Sequence, residues 1–293
     1  MKKGNDKLKG IIYSIISGIS FGIMPVWAKL AYSEGANAIS TLAFRFLLSA
    51  ALLLGYLLIR KVSLRVNLKQ FKLILLLAVG YSLTSIFLFY AYNYINVGIA
   101  TMILYTYPIM VMMLSIMIYK EKFKFKKFIY LILTTLGVCI MVGPNGGHVS
   151  TLGVILVLLS GLSYAVYVIG TAHEEIKKMD SLVMTFYISL ITALVDFVIG
   201  FFNGSFTTVI SPRGMVYILL LAIVSTVIGL IAFLKGVWYI GPTDASIFSS
   251  VEPVVSLVLG VVILGEFISI NIIAGSVIII AVMIFLSRDT VGK

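Results

Sequence analysis

The sequence predicts an all-α integral membrane protein, with ten transmembrane helices arranged as two inverted five-helix repeats, residues 1–147 and 148–293. Three observations predict it. The 293 residues are 61% hydrophobic and 11% charged, with a mean hydropathy of +1.14. A soluble domain is about 45–50% apolar and about 25% charged, so this chain has too few charges to build a water-facing surface. Apolar runs long enough to cross a bilayer recur along its whole length. Finally, the chain repeats itself. Tyr94-Ile95, Ala100, Pro108, Leu114, Ile118 and Glu121 return 145 positions later, without a gap, as Tyr239-Ile240, Ala245, Pro253, Leu259, Ile263 and Glu266. Upstream, Ser17-Gly18-Ile19-Ser20-Phe21 returns as Ser160-Gly161-Leu162-Ser163-Tyr164. A period of half the chain in so apolar a sequence marks an internally duplicated membrane protein.

A spanning helix needs about 20 mostly apolar residues. Ten stretches meet this, at roughly 10–31, 38–59, 71–94, 97–119, 127–143, 151–171, 181–202, 214–236, 242–264 and 270–287. The first follows a lysine-rich start. No small-residue cleavage site closes its apolar core, and Met24-Pro25-Val26-Trp27 continues it, so it reads as a retained signal anchor. The links are short. Asn96-Val97-Gly98 alone joins spans three and four, and Gly241-Pro242 joins eight and nine. Tight links force antiparallel neighbours.

Net charge is +11, from 22 basic and 11 acidic residues. The basic residues cluster between spans, as the positive-inside rule requires, and not as a nucleic-acid surface would. Lys2, Lys3, Lys7 and Lys9 precede span one. Arg60, Lys61, Arg65, Lys69 and Lys72 surround the second link, and Lys120, Lys122, Lys124, Lys126 and Lys127 the fourth. Lys177 and Lys178 fall in the sixth, and Arg288 and Lys293 follow span ten. With ten spans all of these share one side, while the opposite links hold little beyond Arg213. Both termini are therefore expected in the cytoplasm. Five spans per repeat is an odd number, so the second repeat enters the membrane from the other side.

Pro108 and Pro253 fall near the middle of equivalent spans. Each removes a backbone donor and clashes with the carbonyl four residues back. In lipid the freed carbonyl must find a partner or line a wet cavity. The two read as kinks bordering a solute path, or as packing kinks; Pro25 adds a third in span one. Glu252 directly precedes Pro253. An ionisable group at mid-bilayer costs at least roughly 2.5–3.5 kcal/mol, which makes it a site candidate; it could take up a proton, bind a cationic group, or make a structural bond. Arg45 lies roughly 10 Å into span two at 1.5 Å per residue, where it could bind an anionic group or pair structurally. Asp196 lies at similar depth in span seven. Lys235 reads as interfacial, Asp244 as a cap at the start of span nine, and Glu121 and Glu266 as interfacial groups.

Aromatic residues crowd spans three, four, six and nine, among them Phe87, Phe89, Tyr90, Tyr92 and Phe248. Tyr105, Tyr107, Tyr164 and Tyr167 are far enough from the span ends to line a cavity, where tyrosine offers both a ring face and a hydroxyl. Gly10, Ser14, Gly18 and Gly22 recur every fourth residue in span one, partly echoed by Gly153, Gly161 and Ala165. Small residues at this spacing let helices approach closely. The lone Cys139 and the separated His148 and His173 make neither a disulfide nor a metal site.

Three pieces, in this order within the two repeats, resemble the drug/metabolite transporter superfamily and specifically its EamA-type members. They are Arg45-Phe46-Leu47-Leu48-Ser49-Ala50, then Tyr105-Thr106-Tyr107-Pro108 with Glu121, then Ser250-Val251-Glu252-Pro253-Val254 with Gly265-Glu266. The resemblance covers essentially the whole chain. It implies ten helices around a central cavity lined by spans one, three, four, six, eight and nine, and the movement of small metabolites, often outward. One departure is Tyr119-Lys120 before Glu121, where the family often has an apolar residue and glycine.

The expectation is a secondary transporter in the plasma membrane for a small organic metabolite, amino-acid-like and exported, working by alternating access; a facilitative importer or a channel is the alternative. No Gly-x4-Gly-Lys-Ser/Thr loop is present to hold ATP, and no nucleophile–base pair or metal cluster suggests an enzyme. No cofactor is expected. The partners are the solute, the lipid bilayer and a candidate coupling proton, with a monomer as a sufficient functional unit.

Overall fold

A computed structural model describes residues 2–91, 93–95, 97–142, 150–265 and 270–291. Tyr92, Asn96, His148, Glu266 and Lys293 lie outside the described residues, as do the side chain of Phe89 and the 147/148 repeat boundary. Among the described residues every regular element is helical. In chain order these are α1 (Lys2–Gly22), α2 (Met24–Ser33), α3 (Ala38–Ile59), α4 (Leu68–Ala91), α5 (Val97–Leu104), α6 (Tyr107–Tyr119), α7 (Phe125–Val142) and α8 (Thr151–Thr171). There follow the single turn α9 (Glu174–Lys177), α10 (Ser181–Phe202), α11 (Pro212–Leu220), a π-helical segment (Leu221–Ile228), α12 (Gly229–Ile240), α13 (Pro242–Ser249), α14 (Glu252–Leu264) and α15 (Ile270–Val291). Among the described residues, eight helical stretches are long and apolar enough to cross a membrane. Large apolar side chains such as Ile59, Phe202 and Val262 point outward, as a lipid-facing surface requires.

Local chemistry sets the helix ends. Asn67 and Gln70 form a reciprocal capping box at the start of α4, each side chain accepting the other's backbone N–H, at 2.8 and 3.0 Å. Asn37 caps α3 by accepting from Ser40 N–H at 2.8 Å, while its own amide donates to Ser205 carbonyl at 2.6 Å. Ser211 Oγ accepts from Gly214 N–H and donates to Glu34. These bonds tie the 34–37 link to the 203–211 link. Gly35 stands between them at φ +95, and a Cβ there would lie 2.7 Å from Val209 carbonyl oxygen, so only glycine fits.

The heaviest packings pair the halves with each other: α1 with α12, α4 with α8, α3 with α10 and α7 with α15. The contacts themselves repeat. A Cβ on Gly10 would lie 2.6 Å from Ile240 Cγ2, and a Cβ on Gly153 would lie 2.6 Å from Ile95 Cγ2. The small-residue stripe of α1 thus seats against α12, and further along Gly18 and Gly22 seat against the backbone of Ser249 and Glu252, at 2.7 Å from a Cβ on each. Without side chains there, α1 comes close enough to hold the start of α14 in place.

One end of the bundle gathers Lys7, the lysines of 122–127, the 239–244 link and Asp289 around a polar cleft. Lys126 pairs with Asp289 at 2.7 Å, and Lys127 pairs with Asp244. Asp244 is therefore an ion-pair partner as well as a residue of the first turn of α13. Lys235 lies 5.2 Å over the Tyr13 ring, and Tyr13 stacks on Tyr239 with centroids 6.1 Å apart.

Candidate solute-binding cavity

The proline-containing spans are broken into two helices each. α5 ends at Leu104 and α6 starts at Tyr107; α13 ends at Ser249 and α14 starts at Glu252, every boundary being 145 residues from its counterpart. Pro108 and Pro253 sit at the second position of the new helix, where a missing N–H costs nothing. The breaks close with short-range bonds, Thr106 N–H to Ile103 carbonyl at 3.1 Å and Ser250 N–H to Ile247 carbonyl at 3.1 Å. Hydroxyls take up carbonyls near the breaks: Thr106 Oγ1 donates to Ile103 at 2.7 Å and Ser250 Oγ to Ser246 at 3.0 Å. Pro25 likewise stands second in α2, after the interruption at Ile23.

Glu252 and Tyr107 are thus the first residues of two equivalent half-helices. A carboxylate suits the Glu252 position, because the N-terminal end of a helix carries partial positive charge. The hydroxyl of Tyr105, beside the other break, lies next to the Glu252 carboxyl. Glu252, Tyr105, Tyr107, Tyr164 and Arg45 all line one cavity of about 530 Å³. Its mouth is lined by Lys29 and Tyr32 near the end of α2.

The aromatic wall is a connected set. Tyr107 meets Tyr164 edge-on at 4.7 Å between centroids, Tyr164 lies over Tyr167 at 5.9 Å, and Tyr81 meets Tyr167 at 4.9 Å. Tyr167 and Phe248 are fully buried and are not among the lining residues; they support the wall from behind. Arg45 is only 4% exposed. Its guanidinium lies 4.4 Å from the Phe46 ring centroid, donates to Met24 Sδ and lies beside the Tyr81 hydroxyl. Arg45 Nε has no hydrogen-bond partner. The cavity therefore has a carboxyl on α14, a guanidinium on α3, and tyrosine faces around them.

The structure adds residues that sequence reasoning passed over. Tyr81 joins Arg45 to the aromatic set, and its mid-span place between the small residues Gly80 and Ser82 is the one signal that could have marked it. Leu221 lines the cavity from the start of the π segment. There Ser49 Oγ on α3 donates to Ala222 carbonyl at 3.0 Å, and Ser225 Oγ donates to Ser20 carbonyl on α1 at 2.9 Å. A π segment shifts the backbone register and often marks a functional site. Nothing in Leu221-Ala222-Ile223-Val224 announces it. Asp196 lines a separate, smaller cavity with Ser85 and Asn203, and Glu121 lies in the lysine-rich cleft.

The helices are apolar, and the broken ones meet at an internal cavity that holds a carboxyl and a guanidinium. The model of the EamA-like transporter family matches twice, over residues 8–143 and 151–288, so the chain belongs to the EamA-like transporter family, which points to a membrane transporter of small solutes. A crystal structure superposes with a TM-score of 0.82, covering 96% of this chain and 98% of its own. At 16% sequence identity that likeness shows the fold alone. No curated protein matches the sequence.

Proposed function

We propose that the protein is a secondary transporter of a small zwitterionic, amino-acid-like solute, exporting it across the plasma membrane by alternating access. The observation that carries this reading is the single cavity lined by both Arg45 and Glu252, with Tyr105, Tyr107 and Tyr164 between helix breaks. A carboxylate on the solute meets Arg45, an ammonium group meets Glu252, and the tyrosine rings take the side chain. A volume of about 530 Å³ suits a metabolite of that size.

The reading includes ten crossings. The eight long stretches are completed by α5 with α6 and by α7, and the five-crossing repeats, 1–147 and 148–293, are inverted relative to each other. The equivalent contacts of Gly10 and Gly153, and the matched breaks 145 residues apart, support the inversion. Both termini are then cytoplasmic, with the lysine-rich cleft. The cavity mouth at Lys29 and Tyr32 faces outward, and the α1–α12 seam with the Lys127–Asp244 pair closes the inner side. Protons are the coupling ion in this reading, carried by Glu252.

The test is counterflow of radiolabelled amino acids in liposomes holding wild type, Arg45→Gln or Glu252→Gln. Saturable, pH-dependent exchange in wild type, abolished binding in Arg45→Gln, and binding weakened at every pH in Glu252→Gln, where the solute ammonium and the coupling proton share one carboxyl, are expected. Uptake by wild type that never saturates points to a channel. Unchanged exchange in both variants removes the cavity from the pathway.

A further inference from the structure

The second cavity, about 380 Å³, lies beside the first, sharing Leu42 and Ser85 with it, and contains Asp196 of α10. Asp196 is 5% exposed, and its Oδ2 has no hydrogen-bond partner. Ser205 on the following link adds a second buried oxygen without a partner. Polar atoms left unpaired in this way cost stability, and one face of α10 carries two more, Ser189 Oγ and Thr192 Oγ1. No hydrogen bond or ion pair joins Asp196 to Arg45 among the described residues, although the Arg45 charge lies near enough to act on the carboxyl. Most of the remaining wall is apolar, with Ile86, Ile199 and the Tyr90 ring.

We propose that this cavity is a second binding site, for an organic ammonium ion with an apolar body. The Asp196 carboxylate takes the ammonium group, with Ser85, Asn203 and Ser205 as further oxygen acceptors. Ile86, Ile199 and the Tyr90 face hold the hydrocarbon, Tyr90 adding a cation–π contact. A bare metal cation fits less well, because the space is far larger than an ion needs and supplies only one carboxylate. The site is separate from the Arg45–Glu252 cavity and does not depend on how that cavity is used.

The test is equilibrium binding of 2-phenylethylamine to the purified full-length chain, read as a saturable rise in thermal unfolding temperature. The neutral isostere 2-phenylethanol and sodium chloride serve as controls. Wild type should bind the amine saturably, and the alcohol and sodium should give no shift. Asp196→Asn should bind the amine at least about thirtyfold more weakly, as expected when a buried charge loses its partner. Ile199→Trp keeps the carboxylate and fills the cavity; it should also abolish the shift, and it decides the matter alone if Asp196→Asn does not fold. Unchanged binding in a folded Asp196→Asn or in Ile199→Trp overturns the proposal. So does loss of binding only in Glu252→Gln, which places the amine in the larger cavity. An Asp196-dependent shift with sodium overturns it in favour of a metal-ion site.

Discussion

Lys120 and Gly265 occupy the same place in the two halves, one after each broken span, and both take the left-handed conformation, at φ 52 and φ 70. Lys120 stands where the second half has glycine, and the fold holds it in the glycine conformation anyway. A side chain there costs roughly 1–2 kcal/mol, part of which glycine returns as unfolded-state entropy. Lys120→Gly should therefore raise stability by about 0.5–1 kcal/mol, read as a higher unfolding temperature in detergent, whereas Lys120→Ala should give no gain. Equal behaviour of the two variants would show that the conformation is unstrained. The same scale shows what the sequence can and cannot say about a site. Glu252 and Arg45 stand out because charge inside an apolar run is costly wherever it faces. The tyrosines do not sort themselves, since a mid-span aromatic is equally at home against lipid, core or cavity. Tyr164 lines the cavity while Tyr167, less than one turn on, is fully buried. Tyr81 escaped notice for the same reason.

At the scale of elements, proline is legible and the π segment is not. Pro108 and Pro253 lack an N–H whatever surrounds them, so a distortion near each follows from chemistry alone. That each span would divide fully, with Glu252 and Tyr107 as first residues of new helices, depends on the turns Tyr105-Thr106 and Ser250-Val251 and could not be read from one residue. The π segment of Leu221–Ile228 depends on tertiary partners, Ser49 and Ser20 among them, and leaves no trace in its own composition. If the breaks are hinges, restoring the missing backbone bond should slow the change of access without hindering insertion. Pro108→Ala and Pro253→Ala are expected to express and bind solute normally while exchanging it several-fold more slowly in liposomes. Wild-type exchange rates in both would reduce the breaks to packing features.

Across the whole molecule, the duplication is visible in one dimension because its period needs no gap over the matched stretch. What it implies in three dimensions is that the halves meet through the same contacts. Gly10 against Ile240 and Gly153 against Ile95 are one contact made twice. In an inverted arrangement these lie at opposite membrane faces, and both are packed in this structure, so wider opening toward either face must loosen the seam on that side. A bulky residue at either glycine cannot be accommodated where a Cβ already falls 2.6 Å from the partner. Gly10→Leu should force the inner seam apart and Gly153→Leu the outer one, biasing the protein in opposite directions. The bias is measurable with single cysteines in a Cys139→Ala background. Cysteines at Asn67 and Lys124 should react with an impermeant thiol reagent only from the cytoplasmic side, and one at the exposed Val209 only from outside. That fixes the orientation on which the gate argument depends. A cysteine at Ser85, which lines both cavities, should then label from outside in wild type. It should label faster in Gly153→Leu and be protected in Gly10→Leu. Protection in both variants, or labelling of Val209 from the cytoplasm, would mean that the halves are not inverted copies acting as alternate gates.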